Sequence, residues 1–172
     1  VDLAAYAREQ PPAVIASYTV FAIVRNPWAR LFSDYNFQKL KSRGEKLHLH
    51  RADGRVRPFA DWVEAVFDDP FAYQPQLWGG RVSNGIHRWS PQVDWLSIDG
   101  QLRLDCSARL ERIGREFGTL ARRVGLPAGT RLPKRNWRPH LPYWLHYPRG
   151  LVERVGDYYQ RDIAQFGYSF GR

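Results

Sequence analysis

The sequence is poor in sulfur-containing residues: its 172 residues include one cysteine and no methionine. A single cysteine, Cys106, excludes an internal disulfide bond and a cysteine-based zinc site, and a reducing compartment is the simplest interpretation. No apolar run reaches the roughly 20 residues that a membrane-spanning helix needs, and the first ten residues do not show the pattern of a signal peptide. The G-x-x-x-x-G-K-[ST] pattern of a Walker-type phosphate loop is also absent, which disfavours a kinase-like P-loop enzyme.

Negative charge is also scarce relative to positive charge. The chain has 26 lysines and arginines against 17 aspartates and glutamates, for a net charge of +9. A surplus of this size favours an anionic partner. Nucleic acid, a phosphorylated cofactor, a sulfated glycan and an acidic membrane surface all fit, and the charge does not choose among them.

A buried strand followed by a capped helix is the clearest local pattern. Tyr18–Val24 is a continuous run of β-branched and aromatic residues, which is typical of a parallel strand buried on both faces. Asn26 then predicts an N-cap, and Pro27 predicts the first residue of a helix that runs to about Leu40. Because further amphipathic segments follow, the sequence predicts an α/β domain, and we expect residues 1–172 to form one such domain.

Three later segments have patterns that predict their secondary structure. Val93–Ile98 and Gln101–Leu104 are predicted as short strands around a turn at Asp99–Gly100. The apolar spacing of Ser107–Val124 predicts an amphipathic helix that ends before Gly125. A last helix is predicted from Pro148 to Gly167.

The residues around the predicted strand end suggest an anion site. Arg25 lies at the edge where open α/β sheets bind ligands. At about 100° per residue, Asn26, Arg30, Ser33 and Phe37 share one side of the helix, opposite the apolar stripe. That stripe consists of Trp28, Leu31, Phe32 and Tyr35. An arginine fork and a hydroxyl near a helix start, with its N–H groups and dipole, suit a dianionic phosphate. On spacing alone, two solvated arginines and an incidental serine are an equally good interpretation.

The stretch FAIVRNPWARLFSDY resembles the 3′-phosphate-binding motif of the carbohydrate-type (family 2) sulfotransferases. Three further segments resemble that family in the same order. They are Trp89–Gln92 (W-x-P-Q), Asp105–Glu111 (an aspartate, then R-x-E) and Tyr159–Tyr168 (Y-x-x-D-x-x-x-F-G-Y).

The resemblance covers about residues 15–170 and implies a P-loop-NTPase-like parallel sheet flanked by helices. It also implies that Arg25 and Ser33 bind the 3′-phosphate of the sulfate donor PAPS, with PAP as the product. Arg30 matches the second arginine of the motif, whose role is partly structural.

The resemblance also implies an acceptor and a catalytic base. The acceptor would be a carbohydrate or another hydroxyl-bearing molecule, and we expect no metal and no nucleic acid. His87, just ahead of the Trp89 segment, is the best candidate base, although Arg88 stands where some family members have a histidine; a structural histidine is the alternative. Glu111 either serves the site or complements a helix dipole. The basic loops Lys39–Arg57 and Arg131–Arg138 are candidate acceptor-binding elements, with ring stacking by one of four tryptophans: Trp78, Trp89, Trp137 and Trp144.

One expected segment has no counterpart. Family members carry an earlier loop rich in glycine, serine and threonine, with a lysine, that holds the 5′-phosphosulfate after the first strand. We therefore expect these residues to be the retained part of a longer enzyme, inactive by themselves, with a natural non-catalytic PAP- or glycan-binding remnant as the alternative.

A bacterial cytoplasmic enzyme is expected, or a Golgi one if the protein is eukaryotic. A basic nucleic-acid-binding domain is the main rival, but no signature of one is present.

Overall fold

The structure is a computed structural model that describes residues 2–40, 48–71, 85–132 and 141–171. It is a mixed α/β structure, with a small parallel sheet flanked by helices. In chain order its helices and strands are α1 (Leu3–Arg8), α2 (Pro12–Ser17), β1 (Phe21–Val24), α3 (Pro27–Leu40), α4 (Phe59–Asp68), α5 (Gln92–Trp95), β2 (Ser97–Ile98), β3 (Gln101–Leu102), β4 (Cys106–Arg109), α6 (Ile113–Arg123), α7 (Arg149–Tyr158) and α8 (Gln160–Phe166). Short 3₁₀ turns cover Leu110–Arg112 and Tyr143–His146.

Strands β1 and β4 form a parallel pair, in register from Phe21 opposite Cys106 to Val24 opposite Arg109. The predicted parallel strand is therefore confirmed, but its predicted burial on both faces is wrong. Phe21 is 50% exposed and Ile23 is 41% exposed. Alternate residues of a strand face opposite sides, and within the described chain only the side of Ala22 and Val24 is covered, by a small apolar cluster. That cluster consists of Val93, Phe166 and Tyr168, with Leu96, Leu104 and Ile163 at its margin.

The main core is built on α3. The predicted helix from Pro27 to Leu40 is confirmed, and its predicted apolar stripe is buried. The stripe packs with residues of α4, of α7 and of the segments on either side of α7, prominent among them Phe59, Trp62, Tyr147, Val155 and Tyr159. Aromatic rings make up much of this core, with edge-on contacts such as Phe32 to Phe59 at 5.2 Å. The core therefore buries one side of α3 and leaves Ser33, on the opposite side, half-buried.

Three predicted elements differ from the structure. Val93–Trp95 belongs to helix α5 instead of a strand, because the carboxylate of Asp162 accepts hydrogen bonds from the N–H groups at the start of that helix. Residues 107–109 are strand instead of helix, since they pair with β1. The last helix is two helices, α7 and α8, which meet at Tyr159, whose φ and ψ of −102° and 21° depart from helical values.

The predicted turns are confirmed. β2 and β3 pair antiparallel around Asp99 and Gly100, which both have positive φ, at 49° and 75°. Such φ values at both central residues match the two-residue turns that favour a right-twisted hairpin. Helix α6 ends before Gly125, whose φ is 75°, and Leu126 N–H donates to the Ala121 carbonyl at 2.8 Å.

Candidate anion-binding site at the strand–helix junction

The backbone of Arg25 is held by a side chain from another segment. Arg25 follows the last residue of β1, so it lies at the carboxyl edge of the parallel pair. Its N–H donates to Gln92 Oε1 at 2.9 Å, and Gln92 Nε2 donates to its carbonyl at 2.8 Å. Gln92 in turn is held by the buried Asp162, whose Oδ2 accepts from the Gln92 N–H at 2.8 Å and from Nε2 at 3.1 Å. The W-x-P-Q and Y-x-x-D segments therefore meet at the arginine.

Asn26 caps helix α3 as predicted. Its Oδ1 accepts from the N–H groups of Trp28 and Ala29 at 3.1 and 3.3 Å. Its own N–H donates to Glu111 Oε1 at 2.8 Å, and its Nδ2 donates to the Ser169 carbonyl at 3.0 Å. This corrects one expectation, because two of the helix-start N–H groups that were expected to face an anion are already bound by the cap. Glu111 serves the junction through the backbone of Asn26.

The side chain of Arg25 contrasts with its backbone. The residue is half-buried, and no hydrogen bond or ion pair of its guanidinium is found within the described part of the chain. Burial lowers the pKa of Arg25, while the nearby Glu111 and Tyr168 act in the opposite direction. The group still stays protonated at neutral pH, as arginine does in proteins. A half-buried guanidinium that makes no hydrogen bond or ion pair to any described residue still has all its donors available for an anion.

Ser33 lies two turns into α3, on the side away from the core. It is half-buried, and its hydroxyl makes no hydrogen bond to any described residue. A serine hydroxyl in a helix often donates to a carbonyl of the preceding turn. The Ser33 hydroxyl does not, so it remains available as a donor. Arg25 and Ser33 thus share one property: each holds donors that the described protein does not use.

Arg30 is engaged within the protein. Its Nη1 donates to the Ser90 carbonyl at 2.9 Å, and its Nη2 donates to the Arg88 carbonyl at 2.7 Å. The guanidinium therefore fixes the chain around Trp89 to helix α3. This agrees with the partly structural role expected for the second arginine of the motif.

Arg88, which stands where some family members have a histidine, is also engaged. It forms an ion pair with Asp34, with Nε at 3.0 Å from Oδ2, and this contact raises the pKa of Arg88. The same Asp34 Oδ2 accepts from Trp89 Nε1 at 2.9 Å and from Gln38 Nε2 at 3.2 Å. One carboxylate of α3 therefore anchors two neighbouring residues of this segment.

His87 is buried, with both ring nitrogens in hydrogen bonds. Its Nδ1 accepts from the Trp89 N–H at 3.3 Å, and its Nε2 lies 3.0 Å from the Tyr158 hydroxyl. An accepting Nδ1 assigns the ring proton to Nε2 in the neutral form. Burial and the charge of Arg30 lower the pKa of His87 to about 4. The catalytic role of His87 stays a prediction, and this geometry is that of a structural histidine.

The tryptophans considered for acceptor stacking lie in different surroundings. Trp89 is buried in the core, whereas Trp144 is 43% exposed on the 3₁₀ turn before α7. Trp78 and Trp137 lie outside the described residues, as do residues 41–47 and 133–138 of the two basic loops. Of the two tryptophans that the structure describes, Trp144 is thus the one whose exposure suits a ligand contact.

Arg109 is a residue of this edge whose position sequence reasoning missed. It pairs in register with Val24, one residue before Arg25, and its guanidinium lies over the Tyr168 ring at 5.5 Å from the centroid. Its N–H donates to Glu116 Oε2 at 2.6 Å. The R-x-E segment contained this arginine, but only the strand pairing brings it to the same edge as Arg25.

A parallel strand pair with a capped helix at its carboxyl edge defines an α/β protein, and the half-buried Arg25, which has no partner for its guanidinium among the described residues, makes the strand–helix junction a candidate anion site. The chain matches the family model described as "Sulfotransferase family" over residues 2–169, and it therefore belongs to the sulfotransferase family. No curated protein and no solved structure matches it. In the described ranges, no helix has the length and apolar character to cross a membrane.

Proposed function

We propose that this protein is an enzyme that transfers a sulfuryl group from PAPS to a hydroxyl or amine of a carbohydrate-like acceptor. Its fold in this proposal is a P-loop-NTPase-like α/β domain. The single observation that supports the proposal best is the side-chain chemistry at the junction. Arg25 presents its guanidinium from a fixed backbone just before helix α3, Ser33 presents its hydroxyl from within that helix, and neither group makes a hydrogen bond to any described residue. Together they would bind the 3′-phosphate of the donor.

The transfer replaces one bond of the sulfuryl sulfur by another. The bond between the sulfuryl sulfur and the 5′-phosphate oxygen breaks, a bond from sulfur to the acceptor oxygen or nitrogen forms, and the acceptor proton leaves to a base or to water. PAP and the sulfated acceptor are the products. Arg25 and Ser33 act at the far end of the donor, so they contribute binding and orientation rather than bond cleavage.

The other residues of the site have supporting roles in this proposal. Arg30 binds the two carbonyls beside Trp89 and thereby fixes the segment that carries His87 and Gln92 to helix α3. Because both nitrogens of His87 are engaged, the buried imidazole would have to lose a hydrogen bond before it took a proton from an acceptor. We therefore assign no base among the described residues.

The proposal is tested by calorimetric titration of PAP into the wild-type chain and two variants. Arg25→Ala removes a charge-assisted fork and is expected to weaken PAP binding about 100-fold, and Ser33→Ala about tenfold. Arg149→Ala is the matched control, since it removes one positive charge from a fully exposed position of α7. Arg25→Lys separates charge from shape and should recover only part of the loss.

The outcomes separate the possible functions. Equal PAP affinity in the wild type and in Arg25→Ala would refute the proposed site. Binding of PAP without sulfuryl transfer to any sugar, even in a chain extended to its full encoded length, would favour a non-catalytic binding protein. A salt-dependent oligonucleotide shift in the absence of PAP binding would favour the nucleic-acid alternative.

A further inference from the structure

We propose that Gln92 is a positioning residue for the phosphate site: its carboxamide fixes the backbone of Arg25, and through it the direction of the guanidinium, without touching the ligand. This inference rests on the proposed function. It assigns to the W-x-P-Q segment a role that the segment's position in the sequence, 67 residues from Arg25, does not suggest.

The carboxamide of Gln92 takes the place of a neighbouring strand. The ladder between β1 and β4 ends at Val24 opposite Arg109, so Arg25 is the first residue beyond it. Gln92 supplies one acceptor and one donor to the N–H and carbonyl of Arg25, at 2.9 and 2.8 Å. A strand partner would offer the same pair of groups. The amide thus extends backbone pairing by one residue.

Asp162 fixes the orientation of that amide. Its Oδ2 accepts from the Gln92 N–H and Nε2, at 2.8 and 3.1 Å, and its Oδ1 accepts from the Val93 N–H at 2.9 Å. The carboxamide nitrogen therefore faces two acceptors, and its oxygen faces one donor. A flipped amide would place its oxygen against a carboxylate and a carbonyl, so a single orientation satisfies the network.

The next peptide is fixed in the same way. The Asn26 N–H donates to Glu111, and the Asn26 side chain donates to Ser169. Two consecutive residues are thus held from three distant segments, while the guanidinium of Arg25 makes no bond within the described residues. The direction of this side chain consequently depends on its backbone, and a loosened backbone should lower ligand affinity by lost preorganisation.

The test compares Gln92→Leu with the control Gln38→Leu. Gln38 is also a buried amide, but it donates to Asp34 inside helix α3, away from Arg25. We expect Gln92→Leu to weaken PAP binding about tenfold and to speed amide hydrogen exchange of Arg25 by at least about tenfold. Gln38→Leu should lower stability but change PAP affinity less than about twofold.

A double mutant asks whether Gln92 acts through Arg25. In Arg25→Ala/Gln92→Leu we expect no loss of PAP affinity beyond that of Arg25→Ala, because the positioned group is gone. Additive losses would overturn the inference, as would wild-type affinity in Gln92→Leu. If Gln92→Leu does not fold, Gln92→Glu keeps the side-chain length and sets a carboxylate against the Arg25 carbonyl; wild-type affinity in that variant would equally overturn it.

The same titrations separate this inference from the proposed function. If Arg25→Ala binds PAP like the wild type, the proposed site fails and the inference fails with it. If Arg25→Ala loses affinity while the Gln92 variants keep it, the proposed site stands and only the positioning role is refuted.

Discussion

The Arg25 junction, where β1 leads into α3, and the His87–Trp89 segment, which is bound to Arg30 and Asp34 of α3, use hydrogen bonds in opposite ways. At the junction the backbone groups of Arg25 and the N–H of Asn26 are hydrogen-bonded, whereas the side chains of Arg25 and Ser33 make no hydrogen bond to any described residue. In the segment the side chains of His87, Arg88 and Trp89 are all bound inside the protein. Unused donors on a fixed backbone are what the proposed binding site requires, whereas fully bound side chains are typical of a structural role.

The largest expected effect is a loss of stability when the hydrogen bonds of the His87–Trp89 segment are removed. Asp34→Ala leaves the charge of Arg88 without its partner and removes the acceptor of Trp89 and Gln38. We expect the free energy of unfolding to fall by about 3 kcal/mol, because a partly buried charge is left uncompensated. Urea denaturation measures this change.

The control for that change is Asp68→Ala. Asp68 lies on α4 and pairs with Arg154 at 3.4 Å across an exposed surface. Such a pair contributes about 0–1 kcal/mol. Equal losses of stability in the two variants would contradict the distinction between structural and solvated carboxylates.

His87 gives a pH-dependent effect of intermediate size. Its pKa is lowered from 6.5 to about 4 in the folded protein, so between these values the unfolded chain binds more protons than the native one. Stability from this group is complete above about pH 6.5 and is lost as the pH falls toward 4, by about 1–3 kcal/mol in all. Denaturation midpoints measured from pH 7 to pH 4 record the loss.

A variant isolates the contribution of this histidine. His87→Gln cannot titrate, and it should show a smaller decline of stability over the same pH range than the wild type. A folded-state pKa of 6 or more for His87, measured by NMR, would contradict a buried neutral imidazole and would restore its standing as a general base.

The smallest effect concerns the glycine that follows α8. Gly167 has a φ of 62°, and an added Cβ would lie 3.2 Å from Arg109 Nη2. Gly167→Ala should therefore cost about 1 kcal/mol in the thermal or urea unfolding of the protein. Gly114→Ala, inside α6 with open space around it, should be neutral or stabilising by up to about 1 kcal/mol. The same sign in both variants would contradict this account.

Local signals in the sequence predicted the strand, the cap and the helix that carry the site. Asn26 and Pro27 mark the start of α3, and its apolar spacing predicts the buried side, since these features depend on residues close in sequence. Helix α5 was predicted as a strand because its cap, Asp162, lies 69 residues beyond Val93. The exposed face of β1 was predicted as buried because periodicity reports hydrophobicity and not the presence of a covering element.

For the site too, local residue types could be interpreted from the sequence, whereas contacts between distant segments could not. Arg25 and Ser33 predict an anion site by their side-chain chemistry, and only the family resemblance identifies the anion as a 3′-phosphate. The role of Gln92 could not be predicted, since it consists of two hydrogen bonds to a backbone that the fold brings to it. The position of His87 just ahead of the Trp89 segment makes it a candidate base. Only its contacts with Trp89 and Tyr158 show that both ring nitrogens are hydrogen-bonded inside the protein.

The most direct measurement of the central claim compares two nucleotides that differ only in the place of one phosphate, 3′-AMP and 5′-AMP. If Arg25 and Ser33 form a 3′-phosphate site, the wild-type chain binds 3′-AMP at least about tenfold more tightly than 5′-AMP, and Arg25→Ala abolishes the difference. Equal affinities in the wild type, or a preference that survives in Arg25→Ala, would contradict the account.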